Sequence, residues 1–410
     1  MTRALDMHVV VLDDEPFMLK LLAHLLRNQG FSHITTCDNG VAALGLLEHA
    51  GKVPALILCD LNMPGMDGME FVRRLVEHGY AGSLILVSGE DERTLQTART
   101  LVQAHRIEIL GSLHKPVSPQ ALAQLMAGWT GAPHAAAATP RKRYDAERLR
   151  QAIAQGELTN YYQPKVSVRT AALIGVEALV RWRHPTDGMV FPDQFIDVAE
   201  EHDLIDDLTH TVLVQALADS AAWQAHGLPL RVAINVSMDN LRALDFPDFV
   251  CARAQAAGVA PQSIVLEVTE SRLMRDVRAP LEILTRLRLR RFRLSIDDFG
   301  TGHSSLAQLR DVPFEELKID RGFVHGAHAN ETSRALFFAS LGLAKELGME
   351  VVAEGVEDQA DWDFLKHTGC DLAQGYYIAR PMPAPALWQW HTHWQQRIAA
   401  SAALQPQDTL

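Results

Sequence analysis

Cysteine, long apolar runs and positive charge are all scarce in this sequence, and each shortage removes a class of function. Four cysteines (Cys37, Cys59, Cys251 and Cys370) are spread over 410 residues. They are too few and too far apart for a disulfide framework, and none forms the CxxC pair that zinc or redox chemistry uses. Eighteen histidines include no HExxH and no His-rich tract, so any bound metal is expected to rest on carboxylates. The longest near-apolar stretch, Ala335 to Ala344, is about half the ~20 residues that cross a bilayer, and membrane insertion is not expected. The N-terminus, MTRALDMHVVVLDDE, places adjacent acids where a signal peptide needs its cleavage region, which points to the cytoplasm. Against 50 Asp and Glu stand only 38 Lys and Arg, a net charge of −12. So acidic a surface repels phosphate backbones, and DNA is not an expected partner.

What is present is apolar patterning, 48% hydrophobic over a length that suits two or three domains. VVVL, ALILCD, SLILVS and EILGSL are short, nearly continuous apolar runs separated by helix-length segments. They predict an α/β unit over residues 1–128, a doubly wound parallel sheet (flavodoxin-like) covered on both faces. Residues 129–143, rich in Ala and Pro with a basic end, read as a linker. Eight strand candidates follow over 144–396: LTNYYQPKV, LIGVEALVRW, LRVAINVS, SIVLEVTE, RLSIDD, ELKID, MEVVAEGV and DLAQGYY. Their number and rhythm predict a (β/α)8 barrel of the TIM type, with WQWHTHWQQ docking on it as a helix and 397–410 as a tail.

In the first unit, Asp13 and Asp14 follow the first strand, Asp60 and Ser88 end later ones, and Lys115 follows the last. Ligands of parallel sheets sit at these strand ends. Three carboxylates, a hydroxyl and an ammonium suit one Mg²⁺ and a phosphoryl group, with Asp60 as the nucleophile. VLDDE, LCDLNMPGMDG, VSG and HKP, within about residues 7–128, resemble the receiver domain of two-component response regulators. That resemblance implies that Asp13, Asp14 and Asp60 hold Mg²⁺ and that a sensor histidine kinase or phosphotransfer protein phosphorylates Asp60. Ser88 and Lys115 would then contact the phosphoryl group. Ser112 stands where many receivers carry a switch aromatic, leaving the usual hydroxyl-to-aromatic relay without its aromatic.

In the second unit, Glu177, Asn235, Glu267, Asp297, Asp298, Lys318, Asp320, Glu354 and Gln374 fall at or just after strand ends, the face where barrels carry their chemistry. Six carboxylates at one mouth cannot all ionise without counter-charge, and oxygen ligands select Mg²⁺ or Mn²⁺. The Asp297-Asp298 pair suits two bridged ions, Arg181 a bidentate phosphate contact, and Lys318 a nucleophilic water or developing charge. Glu354 is a candidate base or second-metal ligand. EALVR, INVS, LEVTE, DDFGTGHSSL, LKID, AEGVE and AQGYYIARPM, over about residues 144–392, resemble the EAL family of cyclic di-GMP phosphodiesterases.

That resemblance implies hydrolysis of cyclic di-GMP to the linear dinucleotide pGpG with two Mg²⁺ or Mn²⁺ per site. Glu177, Asn235, Glu267 and Asp297 would hold the first metal, and Asp297 and Asp298 would reach the second. Lys318 and Asp320 would complete the water site, with Glu354 as base or ligand. Gln163, Arg181, Glu357 and Gln374 would contact substrate, and Glu270 would brace the Gly-containing loop. His303 departs from the family's aromatic before Ser-Ser. The resemblance also suggests a homodimer or homotetramer. There is no GGDEF-like block and no spare DNA-binding segment. The alternative, a catalytically silent cyclic di-GMP sensor or docking module, would be marked by loss of Glu177, Asp297, Asp298, Lys318 or Glu354, and all five are present.

Overall fold

The runs of Val, Leu and Ile become central strands in both of the units into which the computed structural model divides, Met1–Lys142 and Arg143–Leu410. Residues 7–49, 54–104, 107–127, 129, 144–269, 278–300, 309 and 312–404 are described. In the first unit the strands are β1 (His8–Leu12), β2 (His33–Cys37), β3 (Leu56–Asp60), β4 (Ser83–Ser88) and β5 (Glu108–His114). They form one parallel sheet in the order β2-β1-β3-β4-β5. β3 and β4 are buried along their whole length, which is why they read as unbroken apolar runs. Side-chain alternation sends Val10, Leu12 and Ile57 into one core with Phe71 and Leu75, and Val9, Val11 and Leu58 into another with Leu22 and Leu26. The strand order reverses beside β1, so a crevice opens at the carboxyl ends of β1 and β3, where Asp13 and Asp60 stand. The helix Gly68–Glu77 starts hard against this crevice. Its cap, Asp67, accepts from the Glu70 N–H at 2.8 Å, and a Cβ on Gly68 would lie 2.5 Å from the Asp60 carbonyl oxygen.

The second unit contributes β6 (Leu158–Ser167), β7 (Leu173–His184), β8 (Gly188–Val190), β9 (Arg231–Val236), β10 (Ile264–Thr269), β11 (Arg293–Phe299), β12 (Glu316–Ile319), β13 (Glu350–Ala353), β14 (Leu372–Ala373) and β15 (Met382–Pro383). Eight of these, β6, β7 and β9 to β14, close into a barrel, and all eight expected segments lie in it. The expected eight-stranded barrel closes, with one departure from the parallel pattern of such barrels at its first strand. β6 runs antiparallel to both neighbours, β7 and β14, while the other pairings within the ring are parallel. The reason is chain length: five residues separate β6 from β7, whereas a parallel crossover needs about a dozen or more.

The last helix, Ala386–Leu404, docks on the barrel as its tryptophans suggest. Trp394 is buried and donates to the Ala171 carbonyl at 2.7 Å, and Trp390 donates to that of Ile378 at 3.1 Å. This helix runs past residue 397, where a tail is expected to begin, to Leu404. Among the described residues no helix is long and apolar enough to cross a membrane.

Candidate functional site

The crevice at the strand ends of the first unit assembles all five expected groups. Asp13, Asp60 and Ser88 are buried, and oxygens of Asp13, Asp14 and Asp60 lie within 4.8 Å of one another. The Lys115 ammonium sits 2.9 Å from Asp60 Oδ2 and 3.0 Å from Asp13 Oδ2. Burial, against the Glu15 N–H and Lys115, raises the Asp13 pKa. Burial works against the Lys115 ammonium, but Asp60 and Asp13 outweigh it and hold its pKa above the ordinary value. Ser88 ends β4 beside this group, and its carbonyl accepts the Lys115 N–H at 2.8 Å. Three hard carboxylates within a few ångströms fit a Mg²⁺ ion.

The barrel mouth is organised around Lys318. Its ammonium, fully buried, lies 2.7 Å from Glu354 Oε1, 3.0 Å from Glu267 Oε2, 3.0 Å from Asp297 Oδ1 and 3.6 Å from Glu177 Oε2. The carboxylates fall into two triads whose oxygens lie within 4.8 Å: Glu177, Glu267 and Asp297, then Asp297, Asp298 and Glu354. Asp297 belongs to both. Consecutive strand residues ordinarily face opposite ways, so an adjacent acid pair should not share one mouth. Here the β11–β12 register shifts between Ile296 and Phe299, and Asp298 takes a left-handed φ of 54°. This bulge brings both acids to the same side, with the Asp298 N–H donating to Asp297 Oδ1 at 2.9 Å. Two oxygen-only triads sharing one carboxylate suit a pair of Mg²⁺ or Mn²⁺ ions.

Crowded burial separates the acids electrostatically. Burial raises Glu354 to about 8, with Asp297 and Glu177 adding to it and Lys318 opposing. Burial and the Asp297 charge raise Asp298 to about 6, and burial raises Glu177 against the pull of Lys318. For Glu267 burial is outweighed by Lys165 and Lys318, which bring it to about 2. The groups with raised values take up protons on folding, so the stability they give the metal-free protein holds near pH 4 and is lost as pH rises toward 8. Metal-free protein is therefore expected to melt at progressively lower temperature from pH 5 to pH 8, and saturating Mg²⁺, which favours the ionised acids, should flatten the trend. Tryptophan fluorescence reports this, since six of the seven tryptophans lie in the second unit. Identical pH profiles with EDTA and with Mg²⁺ would contradict it.

Around the acids, Asn235 donates to Glu177 Oε1 at 2.8 Å, and Gln374 donates to Glu177 Oε2 at 2.6 Å and Gln163 Oε1 at 3.0 Å. A cavity of about 220 Å³ is lined by Gln163, Glu177, Arg321, Glu354, Glu357 and Gln374, among others. Arg181 is not among its lining residues: its guanidinium lies 5.1 Å from the Phe191 ring and donates to the Val180 carbonyl. Asp320 caps the turn Arg321–Val324 through the Gly322 N–H, and its charge reaches Asp298 from there. Glu270 and His303 lie outside the described residues.

Sequence reasoning missed Lys165, Glu316 and Arg321. Lys165 is two residues beyond Gln163 on β6, and Glu316 two before Lys318 on β12, so strand alternation signals a shared inward face for each pair. Arg321 pairs with Glu357 at 2.6 Å. Buried Asp361 anchors the backbone beside them, accepting from the Gly326 and Glu357 N–H groups and lying 2.8 Å from His325 Nδ1.

Folds and sites together define a class: a parallel α/β sheet with a carboxylate crevice in one unit, an acid-mouthed barrel in the other. The chain matches the response regulator receiver domain over residues 9–127 and the EAL domain over residues 146–381. It is 34% identical over 383 residues to the cyclic di-GMP phosphodiesterase RocR of Pseudomonas aeruginosa, covering 92% of this chain and 97% of that protein. With the bifunctional diguanylate cyclase/cyclic di-GMP phosphodiesterase MucR of the same organism it shares 40% identity over 58% of this chain and 35% of that one. The solved MucR phosphodiesterase in complex with c-di-GMP superposes with a TM-score of 0.56 at 40% identity, covering 59% of this chain and 98% of that one. The chain belongs to the EAL domain family and carries a response regulator receiver domain.

Proposed function

We propose that the protein is a response regulator that hydrolyses cyclic di-GMP to pGpG at the barrel mouth, under control of phosphorylation at Asp60. The observation that carries this reading is Asp297, shared by two carboxylate triads around a buried lysine. The receiver domain and the likeness to RocR along nearly its whole length support it.

Glu177, Glu267 and Asp297, with Asn235, would hold one Mg²⁺ or Mn²⁺, and Asp297, Asp298 and Glu354 the other. When bound, these ions supply Lewis-acid stabilisation of charge on a phosphodiester. Lys318 neutralises the surrounding acids and orients the attacking water, with Asp320 behind it. Glu354, whose Oε1 lies 2.7 Å from the Lys318 ammonium, would give one oxygen to the second ion and with the other accepts the water's proton as the water oxygen attacks phosphorus. One P–O3′ bond breaks and the leaving O3′ takes a proton from solvent, giving a 5′-phosphate and a 3′-hydroxyl. Gln163, Gln374 and Glu357 contact the nucleotide in the cavity, and Arg181 a phosphate, once it leaves Val180. In the receiver, Asp13, Asp14 and Asp60 hold one Mg²⁺, and Ser88 and Lys115 contact the phosphoryl group delivered by a histidine kinase or phosphotransfer protein. A cytoplasmic homo-oligomer, dimer or tetramer, is part of the same reading.

Purified protein incubated with Mg²⁺ and cyclic di-GMP is expected to yield pGpG by chromatography, with a rate that changes after acetyl phosphate treatment. Binding without turnover in either state would leave a sensor instead of an enzyme. A rate indifferent to acetyl phosphate and equal in Asp60→Ala would refute the control by phosphorylation.

A further inference from the structure

Two lysines grip one carboxylate inside the barrel. Lys318 lies 3.0 Å from Glu267 Oε2, and Lys165 lies 2.7 Å from Glu267 Oε1 and 2.9 Å from Glu316 Oε1. All four side chains are buried, at most 4% exposed. Lys165 is on β6, while Glu267 and Glu316 are on β10 and β12, the two strands flanking the one opposite β6 in the ring. The ammonium therefore bridges facing walls of the barrel. It does not line the cavity, which Gln163, two residues earlier, does.

We propose that Lys165 is a positioning residue that sets the divalent-cation affinity of the barrel mouth by fixing Glu267. This rests on the reading of Glu267 as a cation ligand. A glutamate has two equivalent oxygens on a freely turning terminal bond, and a ligand so loose loses affinity each time it swings. Lys165 pins Oε1 from below. Oε2 is left on the side where Lys318, Glu177 and Asp297 converge, with a second lone pair for a cation. Glu316 balances the remaining charge of Lys165, so the pair can be removed together without stranding a buried ion.

The test is Mn²⁺ binding to the full chain, followed by the loss of the free-ion EPR signal. Asp297→Asn defines the Mn²⁺ retained outside the barrel, and the difference from wild type is the barrel's share. The double variant Lys165→Met/Glu316→Gln keeps the charge balance. It is expected to melt near the wild-type temperature but to bind barrel Mn²⁺ about 10- to 100-fold more weakly, the usual size of a lost outer-shell partner. Its activity should return as Mn²⁺ is raised, with the KM for cyclic di-GMP unchanged. Lys165→Arg, which keeps the charge but not the single-nitrogen grip, covers the case in which the double variant does not fold, and should weaken Mn²⁺ in the same direction. Wild-type Mn²⁺ affinity in either folded variant overturns the inference while leaving the cation reading intact. Equal Mn²⁺ binding by wild type and Asp297→Asn overturns the cation reading itself and this inference with it.

Discussion

Replacing Asp297 with asparagine is expected to lower cyclic di-GMP hydrolysis by about 10³-fold or more while leaving the barrel folded. A single lost electrostatic stabiliser in an active site costs ~10²–10³ in rate, and Asp297 is the one carboxylate common to both triads. The substitution keeps shape and removes charge, so neither set retains its full complement of anionic oxygens. Folding should survive because Lys318 keeps three carboxylate partners, Glu177, Glu267 and Glu354. Steady-state kinetics over a range of Mg²⁺ concentrations, with circular dichroism as the folding control, decides it. Hydrolysis within tenfold of wild type at limiting Mg²⁺ would refute the sharing of Asp297.

The second large effect falls on stability as well as rate. Lys318→Met strips the counter-charge from four carboxylates at a site where the lysine is 1% exposed. Removing one partner of a buried ion cluster typically destabilises by about 3–5 kcal/mol, because the charges left behind are uncompensated. The variant should melt well below wild type in EDTA and recover part of the loss in Mg²⁺, whose charge would take over the neutralisation. Turnover should stay depressed by ~10²-fold or more even in saturating Mg²⁺, since the group orienting the water is gone. A melting temperature equal to wild type in EDTA, or near-normal turnover, would show that Lys318 is not the centre of the mouth.

Much of this was legible because the residues that carry it sit on buried strands. β3 and β4 announce themselves as unbroken apolar runs, and Asp60 and Ser88 follow directly from where those runs end. β2 is different. Its sequence, HITTC, lies at the sheet edge and is only partly buried, so no apolar run marks it. In the barrel the eight strands were visible but the direction of β6 was not, because apolar content does not encode strand direction; the short β6–β7 connection does. The Asp297-Asp298 pair was legible as two neighbouring acids, yet their shared orientation depends on a bulge and a left-handed residue that strand periodicity does not foresee. Lys165 escaped for a related reason: alternation puts it on the face of Gln163, but the carboxylates that give a buried lysine its role lie 102 and 151 positions away in the chain. Arg181 was legible as a phosphate contact by residue type, while in the structure it rests against Phe191 and the Val180 carbonyl.

The most direct test of the two-triad site is an anomalous difference map from crystals of the full chain soaked in Mn²⁺ with a non-hydrolysable cyclic di-GMP analogue. The expected map has two peaks at the barrel mouth, one beside Glu177 and Glu267 and one beside Asp298 and Glu354, both touching Asp297, with the analogue's phosphate against them. A single peak, or an analogue bound with no Mn²⁺ at Asp297, would contradict the site as drawn from its carboxylates.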